Sequence, residues 1–120
     1  MAGSSENPAR PPAGQRLCAL ADIADPGAKT FRFRADTRLF AGFVVRAGGA
    51  VRGWVDQCPH AGWPLGALDD RYLTRDGRHI LCAGHGGLFD LGGIGTGTPC
   101  MGLRLAPWPV EVRGGEIVTA

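Results

Sequence analysis

Cys58-Pro59-His60-Ala61-Gly62 and, after a long interval, Cys82-Ala83-Gly84-His85-Gly86-Gly87-Leu88-Phe89-Asp90 are the stretches on which the reading of this chain turns. Two of the four cysteines and two of the three histidines fall into matched pairs, at Cys-X-His and Cys-X-X-His spacing, each beside glycine or proline. Scarce residues paired in this way indicate a metal site. Thiolates are soft and imidazoles borderline, so two of each suit tetrahedral zinc or an iron-sulfur centre. Classical zinc fingers keep both cysteines in one pair and both histidines in the other, whereas each pair here contributes one of each. Two such loops can clasp a two-iron cluster from opposite sides, both thiolates on one iron and both imidazoles on the other. Zinc, or a relic of a site that no longer takes metal, is the alternative the residues leave open.

Working outward, the flanking segments read as strands. Phe31-Arg32-Phe33-Arg34 alternates apolar and charged residues with period two, as a half-buried strand does. Leu39 to Arg46 and Val51 to Gln57 are β-rich runs joined through Ala47-Gly48-Gly49-Ala50, a hairpin that delivers the chain to Cys58. Arg71 to Arg75 and Arg78 to Cys82 flank Asp76-Gly77, a two-residue turn signal, and deliver it to Cys82. Leu103 to Ala106, Trp108 to Arg113 and Glu116 to Thr119 read as three more strands, the last two joined at Gly114-Gly115. These runs predict an all-β fold, an antiparallel sandwich or partly open barrel with almost no helix and with the ligand loops at hairpin tips.

The 120 residues suffice for one domain, with 20 glycines and 9 prolines suited to many turns. Residues 1–14, rich in Pro, Ala, Gly and Ser, are expected to form a flexible arm before a domain over 15–120. They do not resemble a secretory signal, and no apolar run is long enough to span a bilayer, so a cytoplasmic protein is expected. Cys18 and Cys100 are expected as free thiols rather than a disulfide in that setting. The net charge of +2 does not suggest nucleic-acid binding. Arg32, Arg34 and Arg38, like Arg71, Arg75 and Arg78, read as solvated strand faces.

Taken with a downstream Gly97-Thr98-Pro99 and a closing Val110 to Val118 hairpin pattern, the two Cys/His pairs resemble the Rieske [2Fe-2S] family, specifically its small soluble ferredoxin-like members. The resemblance runs from about Leu17 to Val118. It implies one [2Fe-2S] cluster per chain, with Cys58 and Cys82 on one iron and His60 and His85 on the other through Nδ1. It also implies that Pro99 belongs to a loop covering one side of the cluster. High-potential respiratory members carry a serine two residues after the second histidine, a tyrosine four after it, and a disulfide linking the ligand loops. Here those places hold Gly87, Phe89, Trp63 and Gly84, so a low-potential centre is expected, toward roughly −150 mV. Two departures from the family are the 21 residues between His60 and Cys82 and the alanine at position 83, where many members have proline.

Ring-hydroxylating oxygenases also contain this domain, but their mononuclear iron needs two further histidines and a carboxylate. Only His79 remains here, without partner spacing and expected at the surface. No Gly-X-Gly-X-X-Gly fingerprint supplies a nicotinamide or flavin domain either. The expected function is therefore a monomeric electron carrier, not an enzyme, working between a flavin reductase and a terminal oxygenase or related oxidoreductase. A structural subunit of a reductase complex, or a redox or iron sensor, is the other class of reading.

Overall fold

Phe43 and Val44 are adjacent on one strand, yet both are completely buried. Side chains alternate across a strand, so apolar cores must lie on both faces of the sheet that contains them. The computed structural model of the chain, which describes residues 7–57, 65, 72–82, 87–97 and 100–120, shows both.

The central sheet is the antiparallel meander of β2 (Gly27–Ala35), β3 (Arg38–Ala47) and β4 (Ala50–Val55). It pairs Phe31 with Gly42 and Gly42 with Val55. On one face Phe43, Val45 and Trp54 join Leu65, Tyr72, Ile80, Cys82, Phe89, Cys100 and Leu105. Three of these, Ile80, Cys82 and Phe89, come from β5 (His79–Leu81), from β6 (Leu88–Asp90) or from between them, and the two strands form a separate two-stranded hairpin. On the other face Phe40, Val44 and Val55 pack with Cys18, Ile23, Trp108 and Ile117. That core is closed by a second three-stranded sheet in the order β1 (Arg16–Ala19), β8 (Glu116–Thr119), β7 (Val110–Arg113). A single 3₁₀ turn, Leu20–Asp22, is the one helical element among the described residues.

Trp108 is the centre of the second core. It is 1% exposed and meets the rings of Phe31, Phe33 and Phe40, the last edge-on at 5.3 Å. Its indole lies so close over Gly42 that a Cβ there would overlap the ring. Its backbone N–H donates to Gly53 O at 3.0 Å, and Val55 N–H donates to Ala106 O at 2.8 Å. The segment before β7 is thereby stitched to the edge of β4.

The all-β sandwich expected from the pattern is what forms, with several differences in detail. The alternating Phe31–Arg34 run extends to the whole of β2. Leu103 to Ala106 is not a strand but is held by single bridges and by bonds such as Gly95 N–H to Leu103 O, because it follows a glycine-rich loop rather than a straight partner. Around Asp76-Gly77 the turn is wider than two residues. Thr74 N–H bonds His79 O while Gly77 N–H closes back on Thr74 O, and the strand expected before it reduces to a bridge from Leu73 to Ile80. Arg71 lies outside the described residues. Pro109 has no N–H to give a ladder, and β7 begins at Val110.

The flexible arm expected over residues 1–14 is replaced, for residues 7–14, by a segment seated on the second core. Ala9 is 5% exposed, Asn7 Nδ2 donates to Leu39 O at 2.7 Å, and the Arg10 guanidinium stacks on Phe40. Thr119 fastens the rest: its hydroxyl donates to Pro12 O and its carbonyl accepts from Gly14 N–H. Composition suggested mobility, but a proline-rich strip needs little further ordering once a few polar anchors exist. Residues 1–6 lie outside the described part. Cys18 forms no disulfide, and it sits in the opposite core from Cys100, so the central sheet separates the two.

Trp108→Ala removes the ring against which β2 and β3 pack, and a loss of about 3–5 kcal/mol is expected. Urea unfolding followed by far-ultraviolet circular dichroism measures it.

Candidate metal centre

In sequence, each Cys/His pair follows a strand that contributes to the first core. Cys82 directly follows β5 and is 0% exposed. Its N–H donates to Gly87 O at 2.8 Å, and Leu81 pairs with Leu88, so residues 83–86 are the connection of a closed hairpin. Leu81 N–H also bonds Tyr72 O at 2.7 Å, tying that hairpin to the end of the preceding loop. Cys58 lies three residues beyond the end of β4. Cys58, His60, His85, Trp63, Ala83, Gly84, Thr98 and Pro99 lie outside the described residues. The geometry therefore places Cys82 and the ends of the loops that bear the others.

Those loop ends are fastened by side chains that sequence reasoning passed over. Asp56, 7% exposed, follows β4 and accepts two hydrogen bonds. Its Oδ1 takes the backbone N–H of Leu65 at 2.8 Å and its Oδ2 takes the Tyr72 hydroxyl at 3.0 Å. Thr30 Oγ1 lies 2.6 Å from the same phenol oxygen. Tyr72 has one proton and gives it to Asp56, so Thr30 is the donor in that pair. The Tyr72 ring stacks on Phe43 with centroids 4.1 Å apart and planes at 6°. One carboxylate thus ties the chain just before the first ligand pair to Leu65 and Tyr72 beyond it, and the tyrosine anchors all three to the central sheet. Burial, the largest cause, pushes the Tyr72 phenol well above its ordinary value of 10.0. It remains a neutral donor wherever the fold is intact.

The second hairpin is covered by the loop that follows β6. Thr96 N–H bonds Leu88 O, Phe89 bridges Gly95, and Cys100 N–H closes a turn on Gly97 O. Cys100 is fully buried, and its Sγ occupies the space a side chain at position 87 would need. Gly87 is glycine because of this close approach. The covering loop expected around Pro99 therefore has its described neighbour, Cys100, seated on the neck of the second ligand loop. His79 is half-buried on β5, opposite Asp90, and its carbonyl serves Thr74.

The residues present fit an iron-sulfur cluster by the chemistry of the donor set. The sequence offers two cysteines and two histidines at Cys-X-His and Cys-X-X-His spacing, and Cys82, the one described, is shielded from water where a thiolate-bound iron needs protection from solvent. Among the described residues no group of three or more His, Cys, Asp or Glu gathers elsewhere to compete for metal. Of what sequence reasoning missed, Asp56 alone carried a signal: a carboxylate two residues before a metal ligand, at the end of a run expected to be buried. Thr30, Leu65 and Cys100 carried none.

An antiparallel sandwich with a hairpin-borne, water-excluded Cys82 and a covering loop suits a metal-binding β protein whose site lies at the loops of the first core. The chain matches the family described as the Rieske [2Fe-2S] domain over residues 14–109, and it belongs to that family. A search of curated proteins gives no match. Among solved structures it is similar to the ferredoxin of carbazole 1,9a-dioxygenase from Nocardioides aromaticivorans IC177. The two share 28% identity over 91% of this chain and 98% of that one, with a TM-score of 0.67. It is similar also to the Sphingomonas yanoikuyae B1 ferredoxin, at 25% identity over 88% of this chain and 96% of that one, TM-score 0.65. A chain in the complex of reduced oxygenase and oxidized ferredoxin in carbazole 1,9a-dioxygenase matches at 28% identity over 88% of this chain and 90% of that one, TM-score 0.67. The chain is accordingly a [2Fe-2S] electron carrier and not an enzyme.

Two outcomes follow from this construction. Gly87→Ala should drive a methyl group into Cys100 Sγ and destabilise the holoprotein by about 1–3 kcal/mol, and adding Cys100→Ala should recover much of the loss; iron content and urea midpoint read both. Tyr72 is the one tyrosine in the chain, so phenolate absorbance reports on it alone. Its raised folded value means that its contribution to stability is intact below pH 10.0 and declines as pH climbs above that. In Tyr72→Phe this alkaline decline should vanish.

Proposed function

We propose that this chain takes single electrons from a flavin reductase and delivers them to a terminal oxygenase, with Cys58, His60, Cys82 and His85 holding the cluster. The observation that carries the reading is the near end-to-end match with a ferredoxin whose own name places it in a dioxygenase system. The complex of oxygenase with ferredoxin in carbazole 1,9a-dioxygenase supports an oxygenase as acceptor. When bound, the cluster supplies a reversible one-electron centre. The residues supply the rest. Cys58 and Cys82 provide anionic sulfur ligands, and His60 and His85 provide neutral imidazoles. That mixture carries less negative charge than four thiolates and eases reduction relative to plant-type ferredoxins.

No side chain is left to activate oxygen, since His79 stands alone on β5 without a second histidine. We read the protein as a cytoplasmic monomer. No helix among the described residues is long and apolar enough to cross a membrane, and the charge of +2 offers nucleic acid no basic face.

Purified holoprotein tests the reading. It should be coloured, give the electron paramagnetic resonance signal of a reduced Rieske centre with dithionite, and show a midpoint toward roughly −150 mV. Stopped-flow mixing should show reduction by a flavin reductase and reoxidation by an oxygenase. Stoichiometric zinc in a colourless protein would overturn the site, a midpoint well above zero the low-potential expectation, and a cluster silent toward every redox partner the carrier role.

A further inference from the structure

Asp56 is a buried carboxylate whose two donors, the Leu65 amide and the Tyr72 phenol, are both neutral. Neither ion pair among the described residues includes it; those pairs are Arg16 with Glu116 and Arg113 with Glu111, both at the surface. Its negative charge is thus held by hydrogen bonds and by no ion pair among the described residues, with the Arg32 cation acting on the same phenol only at longer range. It also stands two residues before Cys58, and two residues of chain span at most about 7 Å. A fixed negative charge so near a centre that gains an electron opposes that gain, and inside a protein the effect is screened far less than at the surface.

We propose that Asp56 is the residue of this chain that sets a low potential, acting through its charge, while the Thr30–Tyr72 hydroxyl relay moderates that charge. This inference rests on the cluster reading above. The direction of donation is the second half of the argument. Thr30 donates to Tyr72 and Tyr72 to Asp56 Oδ2, so both hydroxyl dipoles point their positive ends at the carboxylate. Removing either donor leaves the charge in place and less neutralised. Removing the charge itself does the opposite.

That opposition separates an electrostatic role from a merely structural one. Asp56→Asn loses one of the two bonds the carboxylate accepts, because its amide nitrogen cannot accept, and Tyr72→Phe loses the phenol's. If these bonds mattered only by holding the first ligand loop, both variants would disturb the cluster alike and move the potential the same way. If charge is the cause, Asp56→Asn shifts the midpoint positive, while Tyr72→Phe and Thr30→Val shift it negative. The change for Asp56→Asn should be on the order of tenfold in the reduced-to-oxidised ratio at a fixed applied potential, the effect of one charge at about 10 Å across a protein interior.

The experiment is a dithionite titration with redox mediators on the purified holoprotein, followed by visible circular dichroism, with no partner protein present. A positive shift for Asp56→Asn with negative shifts for the other two supports the inference. An Asp56→Asn midpoint that is unmoved or more negative overturns it, as does a positive shift in Tyr72→Phe. Should Asp56→Asn not retain its cluster, Tyr72→Phe and Thr30→Val decide alone: negative shifts support the inference, and unmoved or positive midpoints overturn it. A wild-type protein with no Rieske spectrum would instead count against the cluster assignment, which keeps the two failures distinct.

Discussion

The structure depends on β3 being buried from both sides. Phe43 and Val45 face the lobe that bears the ligand loops, and Phe40 and Val44 face the sheet of β1, β8 and β7. A single strand cannot shift in register without moving every side chain to the opposite face, so two independent cores hold β3 in place more firmly than either alone. The pairing of β2 and β4 with it fixes their positions in turn. Everything near the cluster is built on that frame. Cys58 comes three residues after β4 in sequence, and the hairpin of β5 and β6, with Cys82 at its neck, packs on Phe43, Val45 and Trp54.

Long loops need more than a frame, because a ligand must be held to a fraction of an ångström to stabilise one cluster geometry. The chain solves this with polar anchors inside an apolar core. Asp56, Tyr72 and Thr30 connect three segments that are far apart in sequence, and Tyr72 stacking on Phe43 sets the height of the phenol above the sheet. A buried polar network of this kind stabilises only when every member has its partner. Here the carboxylate accepts at both oxygens and the phenol both gives and receives. On the far side of the lobe the anchor is steric instead, with Cys100 filling the space left by Gly87.

Much of this was readable from the chain. The Ala47 to Ala50 hairpin and the Gly114-Gly115 turn depend on local turn chemistry, and they form where expected; the glycines at 48, 49, 114 and 115 all take positive φ. What escaped depends on contacts between residues remote in sequence. Thr30 and Tyr72 are 42 positions apart, and nothing near either suggests the other. The burial of Ala9 needs Phe40 and Trp108 to be in place first, which a reading of composition cannot supply. Leu103 to Ala106 failed for a related reason. Its side chains suit a strand, but its neighbours are a glycine-rich loop and the end of β4, which offer single bridges and not a ladder. For the site, the fold reveals how Cys82 is held and leaves the roles of Cys58, His60 and His85 to the family and the donor chemistry.

Positions 87 and 89 show how packing and potential are linked. High-potential members of the family place hydroxyls there, and this chain places none. The structure gives each absence a use. Phe89 is wholly buried in the first core, where a phenol would have to be given a hydrogen-bond partner. At 87, any side chain would collide with Cys100, whose backbone is held in turn by its N–H on Gly97 O and by Leu103 N–H on its carbonyl. Restoring either hydroxyl therefore means rebuilding the lobe around it. The absence of hydroxyls at 87 and 89 thus follows from how the lobe packs, a constraint set by the core and not only by residues that would touch the metal.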